Sequence, residues 1–319
     1  MQRLTTRLRR RLAGERGASA VVFSLLLVPM LGFTAIAVDI GALYAERARL
    51  QVAADAAAIA VAQDCSRGNC GDMLATAQQL ISHNDPTGTA AQPVLSSDPL
   101  SVTVTGGAPK EHWFAPVIGH DSSQVSATAT VGWGAPSQGT AVLPLTFSWC
   151  AFEKQTGGGL PDEEAPQVLK LTKTDGAPEC HPPSGNQIPG GFGFVRTGSG
   201  GCGTASQIDG MLQSDPGESP SAGCEPEDFA SYLGQTVLLP IFDEAGGTGS
   251  GGWYRVHGYA AFRLTGYSFT GQYKSDPRPC TGNDRCITGY FTRFVELSDD
   301  WSYSPDAPQM GASILRLIR

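Results

Sequence analysis

A run of 21 residues, Ala18–Val38 (ASAVVFSLLLVPMLGFTAIAV), carries no charged side chain. Wound as a helix at about 1.5 Å per residue it covers about 31 Å, the thickness of one bilayer core. Before the run stand Arg3, Arg7, Arg9, Arg10, Arg11 and Arg16 against Glu15, and Asp39 closes its far end. The positive-inside bias then predicts a basic cytoplasmic tail (1–17), a transmembrane helix (18–38) and an extracytoplasmic bulk. Pro29 lacks a backbone donor and Gly32 lowers helix propensity, so a kink is expected between residues 25 and 32. A second reading stays open: Ala35-Ile36-Ala37 fits the small-x-small pattern of a signal-peptidase site, which would make the same run a cleaved secretory signal.

The sequence beyond Asp39 favours the anchor. Ile40–Gln63 (IGALYAERARLQVAADAAAIAVAQ) has no proline and is rich in strong helix formers, so the span is expected to continue as a helical stem over 39–63. Along it Ile40, Leu43, Arg47, Leu50, Ala54, Ala57 and Val61 recur at alternating spacings of three and four, apolar everywhere except at Arg47. One face of the stem is therefore expected to be buried, either on the protein's own outer domain or against a partner helix. Small side chains permit close approach in both cases.

The block Glu15–Ala62 closely resembles the amino-terminal segment of TadG-like proteins of tight-adherence (Flp) pilus-assembly systems. Its carriers are Arg16-Gly17-Ala18, the proline-containing apolar span, Val38-Asp39-Ile40-Gly41, the stretch Leu43–Arg49, and Leu50-Gln51 followed by Ala53-Ala54-Asp55-Ala56-Ala57. The resemblance implies a membrane-tethered structural or assembly component without catalytic activity, with the lipid bilayer and other Tad/Flp assembly proteins as partners. Pilin-like members of these systems are cleaved after a glycine and keep a glutamate at the fifth position beyond it. Counted from Gly17 that position is Val22, so no prepilin-peptidase cleavage is expected at Gly17–Ala18.

The rest of the chain has a different character. The formal net charge is −8, and the basic tail holds +5 of the balance, so residues 18–319 carry −13. An acidic body of this kind argues against nucleic acid as a partner, because that affinity comes mainly from lysine and arginine on phosphates. Gly 40 and Pro 22 make 19% of 319 residues, below the roughly 25–30% at which composition alone signals disorder. A small α+β unit is expected over 64–134: a turn at Asp64–Gly71, a short helix Asp72–His83, strands at Leu100–Thr105 and Gln124–Trp133, and a short helix or turn within Lys110–Ile118. Beyond Pro136 helix signals fade, and strands are expected at Ala141–Phe152, Gln167–Thr172, Gly193–Val195, Thr236–Phe242, Tyr254–Tyr267 and Tyr290–Leu297. The fold class is thus α+β: a single amino-terminal transmembrane helix running into a helical stem, the small α+β unit, and a disulfide-bonded antiparallel β-rich domain over 135–319.

Eight cysteines lie on the side expected to be oxidising, which favours disulfides. Cys65 with Cys70 and Cys280 with Cys286 would close small loops. Cys150, Cys180, Cys202 and Cys224 allow three connectivities, of which sequential pairing is preferred here. Zinc is the competing reading: Cys65-x4-Cys70 fits ligand spacing, but Cys280-x5-Cys286 exceeds it and no histidine pair completes either set. No metal or cofactor is expected, and the sequence names no small-molecule ligand.

Two G-x-G-x-x-G matches, at 198–203 and 247–252, lack the strand-to-helix setting of a dinucleotide loop. Acidic groups at Asp162-Glu163-Glu164, Asp243-Glu244 and Asp299-Asp300 keep an alternative function open, that of a membrane-tethered or secreted cell-envelope binding module or hydrolase. So do the aromatics Trp253, Tyr254, Tyr267, Phe269 and Tyr273. A glycosidase would need two of those carboxyls to converge across a cleft.

Overall fold

The computed structural model describes residues 2–162, 165–171, 180–198, 201–220, 223–297 and 299–318. Glu163, Glu164, Thr172, Ser199 and Gly200, which belong to motifs named above, lie outside them. Helix α1 runs unbroken from Gln2 to Ser66, through Pro29. Its stretch Ser19–Ser66 contains a window long and apolar enough to cross a membrane, with none of that window buried.

The chain divides into two compact units. One holds α1 up to Ala58, Asp72–Val94 and Thr103–Ala129; the other holds Ile59–Gly71, Leu95–Val102 and the chain from Thr130 on. This division differs from the expected boundaries at 64 and 134, because the first unit is built around the stem helix. The covalent strand β4 also passes from one unit into the other.

In the first unit α1 is accompanied by α2 (Met73–Asn84), β1 (Thr89–Ala90), the greater part of β3 (Leu100–Glu111), which follows β2 (Val94–Ser97), and the opening part of β4 (Ser122–Ala141). Asp72 starts α2 as a side-chain cap, its Oδ1 accepting from the Ala75 N–H at 3.0 Å. β1 pairs antiparallel with β3 through Thr89↔Gly107 and Ala90↔Gly106. Leu50, Ala108, Val125 and Ala127 form the buried cluster here, with half-buried Leu43 against it. At Gly106 a Cβ would come within 3.0 Å of Ile81 Cδ1, so the missing side chain lets β3 lie close over α2.

The second unit is β-rich. After β4 come β5 (Leu145–Ser148), α3 (Trp149–Thr156), β6 (Gln167–Lys170), β7 (Phe192–Phe194), β8 (Thr204–Gln207), β9 (Met211–Gln213), α4 (Pro226–Ser231), β10 (Thr236–Gly246), β11 (Trp253–Ser268), β12 (Cys286–Thr292), β13 (Phe294–Leu297), β14 (Ser302–Ser304) and β15 (Ala312–Ile318). One sheet has the order β6-β12-β11-β10-β5-β7, with β9 on β11. The later half of β4 pairs with β15 (Gly134↔Ile314 to Thr130↔Ile318) and with β8 (Gln138↔Gln207 to Ala141↔Thr204).

β10 and β11 are covered on both faces, which explains their near-continuous apolar sequence. Leu239, Ile241, Phe262 and Leu264 enter a phenylalanine-rich core, while Leu238, Tyr259 and Ala261 enter a second cluster with Trp301, Ala312 and Ile314. In the first core the Phe147 ring lies 4.7 Å from Phe262 and 5.6 Å from Phe291. Full burial of each such ring stabilises the fold by about 1.5–3 kcal/mol.

Two expectations are corrected. The Ala141–Phe152 strand ends at Ser148, whose Oγ accepts from the Cys150 N–H at 3.1 Å and turns the chain into α3. A second helix, α4, begins at Pro226, where the Asp228 carboxylate accepts from the Glu225 N–H at 2.7 Å. The sheets are also mixed: β10 runs parallel to β5 and β13 parallel to β15, pairings that long crossovers between non-consecutive strands make possible.

Candidate functional site

The stem is the best-defined site candidate, and its geometry begins at Asp39. This first acid after the uncharged run is 6% exposed. Its Oδ1 accepts from the Trp113 N–H at 2.8 Å, and its Oδ2 accepts from Phe114 at 3.1 Å and from Ala115 at 2.8 Å. Those three donors open the single 3-10 turn Ala115–Ile118 in the loop between β3 and β4. One carboxylate thus satisfies the amides that a turn leaves without partners. Nothing in local sequence signalled this contact, because it joins positions remote along the chain.

Two turns further along, Glu46 is buried, and its Oε2 meets Lys110 Nζ at 3.0 Å and Arg49 Nη1 at 3.5 Å. Its other oxygen, Oε1, and Asp85 Oδ2 are buried without a conventional donor. A side-chain hydrogen bond with Glu46 is the foremost reason that Asp85 lies below the ordinary carboxylate value; burial opposes it, and bonds from Thr87 assist it.

Along the face marked out by spacing, Leu50, Ala54, Ala57 and Val61 are fully buried and Leu43 is half-buried. Ile40 is not part of that packing. It is 48% exposed and, with Tyr44, Arg47 and Val125, borders an open groove of about 410 Å3. The buried stripe starts one turn later than its spacing implied.

Residues 17–64 match the family model described as putative Flp pilus-assembly TadE/G-like. The TadE/G-like segment spans 48 of 319 residues: it opens at Gly17, just before the apolar run, and closes at Asp64, next to Cys65. It takes in Asp39, Glu46 and the buried stripe, and leaves every strand outside the match. The search of curated proteins and the search of solved structures each returned no match.

The second unit contains the disulfides Cys65–Cys70, Cys150–Cys180, Cys202–Cys224 and Cys280–Cys286. Cys202, Cys224 and Asp228 come close enough together to suggest a metal site, but a disulfide offers no thiolate. Asp243 is buried, and Arg255 donates to both of its oxygens at 3.1 and 2.9 Å, while His257 Nδ1 lies 3.3 Å from Oδ2. Burial holds the His257 imidazole below the ordinary histidine value, against the pull of Asp243.

Asp299 meets Arg316 at 3.3 Å, and Asp162 is exposed. Asp243 is committed to an internal ion pair, and Glu244 Oε2 shares the same guanidinium, 3.3 Å from Arg255 Nε. Of the aromatics, Tyr267 and Phe269 lie in the core, Tyr273 donates its hydroxyl to the Cys224 carbonyl, and Tyr254 packs on Phe242 at 4.7 Å. The loop at 247–252 is a glycine hairpin between β10 and β11, without the helix amino terminus that a pyrophosphate needs.

Proposed function

We propose that this protein is a single-pass, membrane-anchored structural or assembly component of a Tad/Flp-type pilus system. In this reading Ala18–Val38 is the anchor, the arginine-rich tail is cytoplasmic, and the β-rich unit stands outside the membrane. The observation that carries the reading is the match of residues 17–64 to the pilus-assembly family, coincident with the uncharged run and the stem that continues from it. The four disulfides, all beyond the anchor, fit an oxidising compartment. The stripe Leu50–Val61 serves as internal packing of the stem, so docking of other assembly proteins falls to surfaces other than that stripe.

A chromosomal deletion of the coding sequence tests the role, with complementation by the full chain and by a chain lacking residues 18–38. Loss of pilus assembly and surface adherence, restored only by the anchored form, is the expected result. Normal pili in the deletion strain would overturn the assembly role while leaving the membrane topology open to its own test.

A further inference from the structure

The loop held by Asp39 displays side chains that a water-facing loop has no use for. Trp113 is 74% exposed, Phe114 47%, Val117 90% and Ile118 74%, and no charged residue stands between His112 and His120. Packing within the fold does not account for them. Their position does: Asp39 follows directly on the uncharged run, and its carboxylate lies 2.8 Å from the Trp113 and Ala115 amides. The backbone of this apolar loop is therefore tied to the level of the helix at which hydrocarbon gives way to headgroups. Tryptophan is enriched at that level, where an apolar ring with a polar N–H is suited to both surroundings.

We propose that Trp113, Phe114, Val117 and Ile118 form a second, shallow membrane contact, seated in the interfacial layer of the leaflet that adjoins Val38. The lipid surface is the occupant because the loop is continuous with the anchor's own exit from the bilayer. This contact rests on Ala18–Val38 being the anchor, but not on which side of the membrane the exit faces. It gives the chain two attachments, one spanning and one peripheral, and so restricts how the first unit tilts on the surface.

The test uses the full chain in phosphatidylcholine vesicles, with and without acyl chains brominated near the glycerol end. Subtracting the emission of Trp113→Phe from that of the wild type isolates Trp113. The expected result is co-flotation of protein with vesicles and a blue-shifted Trp113 emission that the brominated lipid quenches. A second reporter, Val117→Trp in the Trp113→Phe background, is expected to be quenched as well, and 90% exposure of Val117 makes that exchange harmless to folding. Co-flotation with both reporters unquenched would overturn the contact and leave the anchor standing. Failure to float would overturn the anchor and the contact together.

Discussion

Asp39 and Trp113 stand 74 positions apart in the chain, and the N–H of the second donates to the Oδ1 of the first at 2.8 Å. The contact makes one carboxylate the fastening between the stem helix and the tip of the β3–β4 hairpin within the first unit. Asp39→Ala would strip acceptors from the amides of Trp113, Phe114 and Ala115 together. Faster amide hydrogen exchange is expected at residues 113–115 in the detergent-solubilised chain, with little change in the second unit. Asp39→Asn keeps a carbonyl oxygen and is expected to lose less protection than the alanine variant. Equal exchange in all three proteins would show that the carboxylate is not what holds the turn.

The lowered carboxyl of Asp85 leads to a pH dependence with a definite sign. Asp85 lies below the ordinary carboxylate value of about 3.9, so the unfolded chain takes up its proton first. Its contribution is present above that value and is lost as pH falls through the lower, folded value. Asp85→Asn should flatten this acid limb in thermal unfolding followed by circular dichroism. Its carbonyl oxygen still accepts from the Thr87 N–H that Asp85 Oδ1 meets at 2.9 Å, so the local turn is kept while the titrating group is removed. A steeper acid limb in Asp85→Asn would show that the Asp85 carboxylate is not the source of this dependence.

The membrane span, the stem and the β-rich body were legible in the sequence for a physical reason: each is a periodic or compositional property of contiguous residues. The run Ala18–Val38 needs only length and lack of charge, and the cap at Asp72 needs only the positions just after it. What stayed hidden depends on partners far along the chain. The exposure of Ile40, the tie from Asp39 and the ion pair of Lys110 with Glu46 are set by where the β3–β4 hairpin lands. The segment of helix α3 has a strand-like sequence because Trp149, Ala151 and Phe152 continue an apolar run, and the capping role of Ser148 outweighs that run locally. The β13–β15 pairing joins strands whose parallel alignment no local turn could announce.

Gly289 in β12 tests the packing of the second unit. A Cβ there would run into the Arg263 carbonyl oxygen of β11 and the Phe262 ring. The first of these is backbone and cannot swing aside, and Phe262 is fully buried. Gly289→Ala is expected to destabilise the unit by about 1–3 kcal/mol, the usual range for overpacking, as measured by denaturant titration. Gly251→Ala supplies the contrast, since nothing crowds a Cβ there and its backbone lies outside the left-handed region. A Gly289→Ala protein as stable as the wild type would mean that β11 and β12 are not held in this register.

His257 offers the last test, in a different pH window. Burial, aided by Arg255, depresses its imidazole below the ordinary value of about 6.5, and the attraction of Asp243 does not fully offset that effect. The folded state therefore prefers the neutral ring, and the unfolded state binds the proton first as pH falls. The stability contribution of the neutral ring is intact above about pH 6.5 and declines as pH falls from there toward the lower folded value. The ring is also held edge-on to Trp149 with centroids 5.1 Å apart, so a tryptophan signal reports on the same place. In His257→Asn the stability loss below pH 6.5 should become shallower, and quenching of Trp149 as the ring protonates should disappear. A wild-type protein whose stability rises as pH drops through this window would instead mean that the Asp243 carboxylate dominates and holds His257 charged.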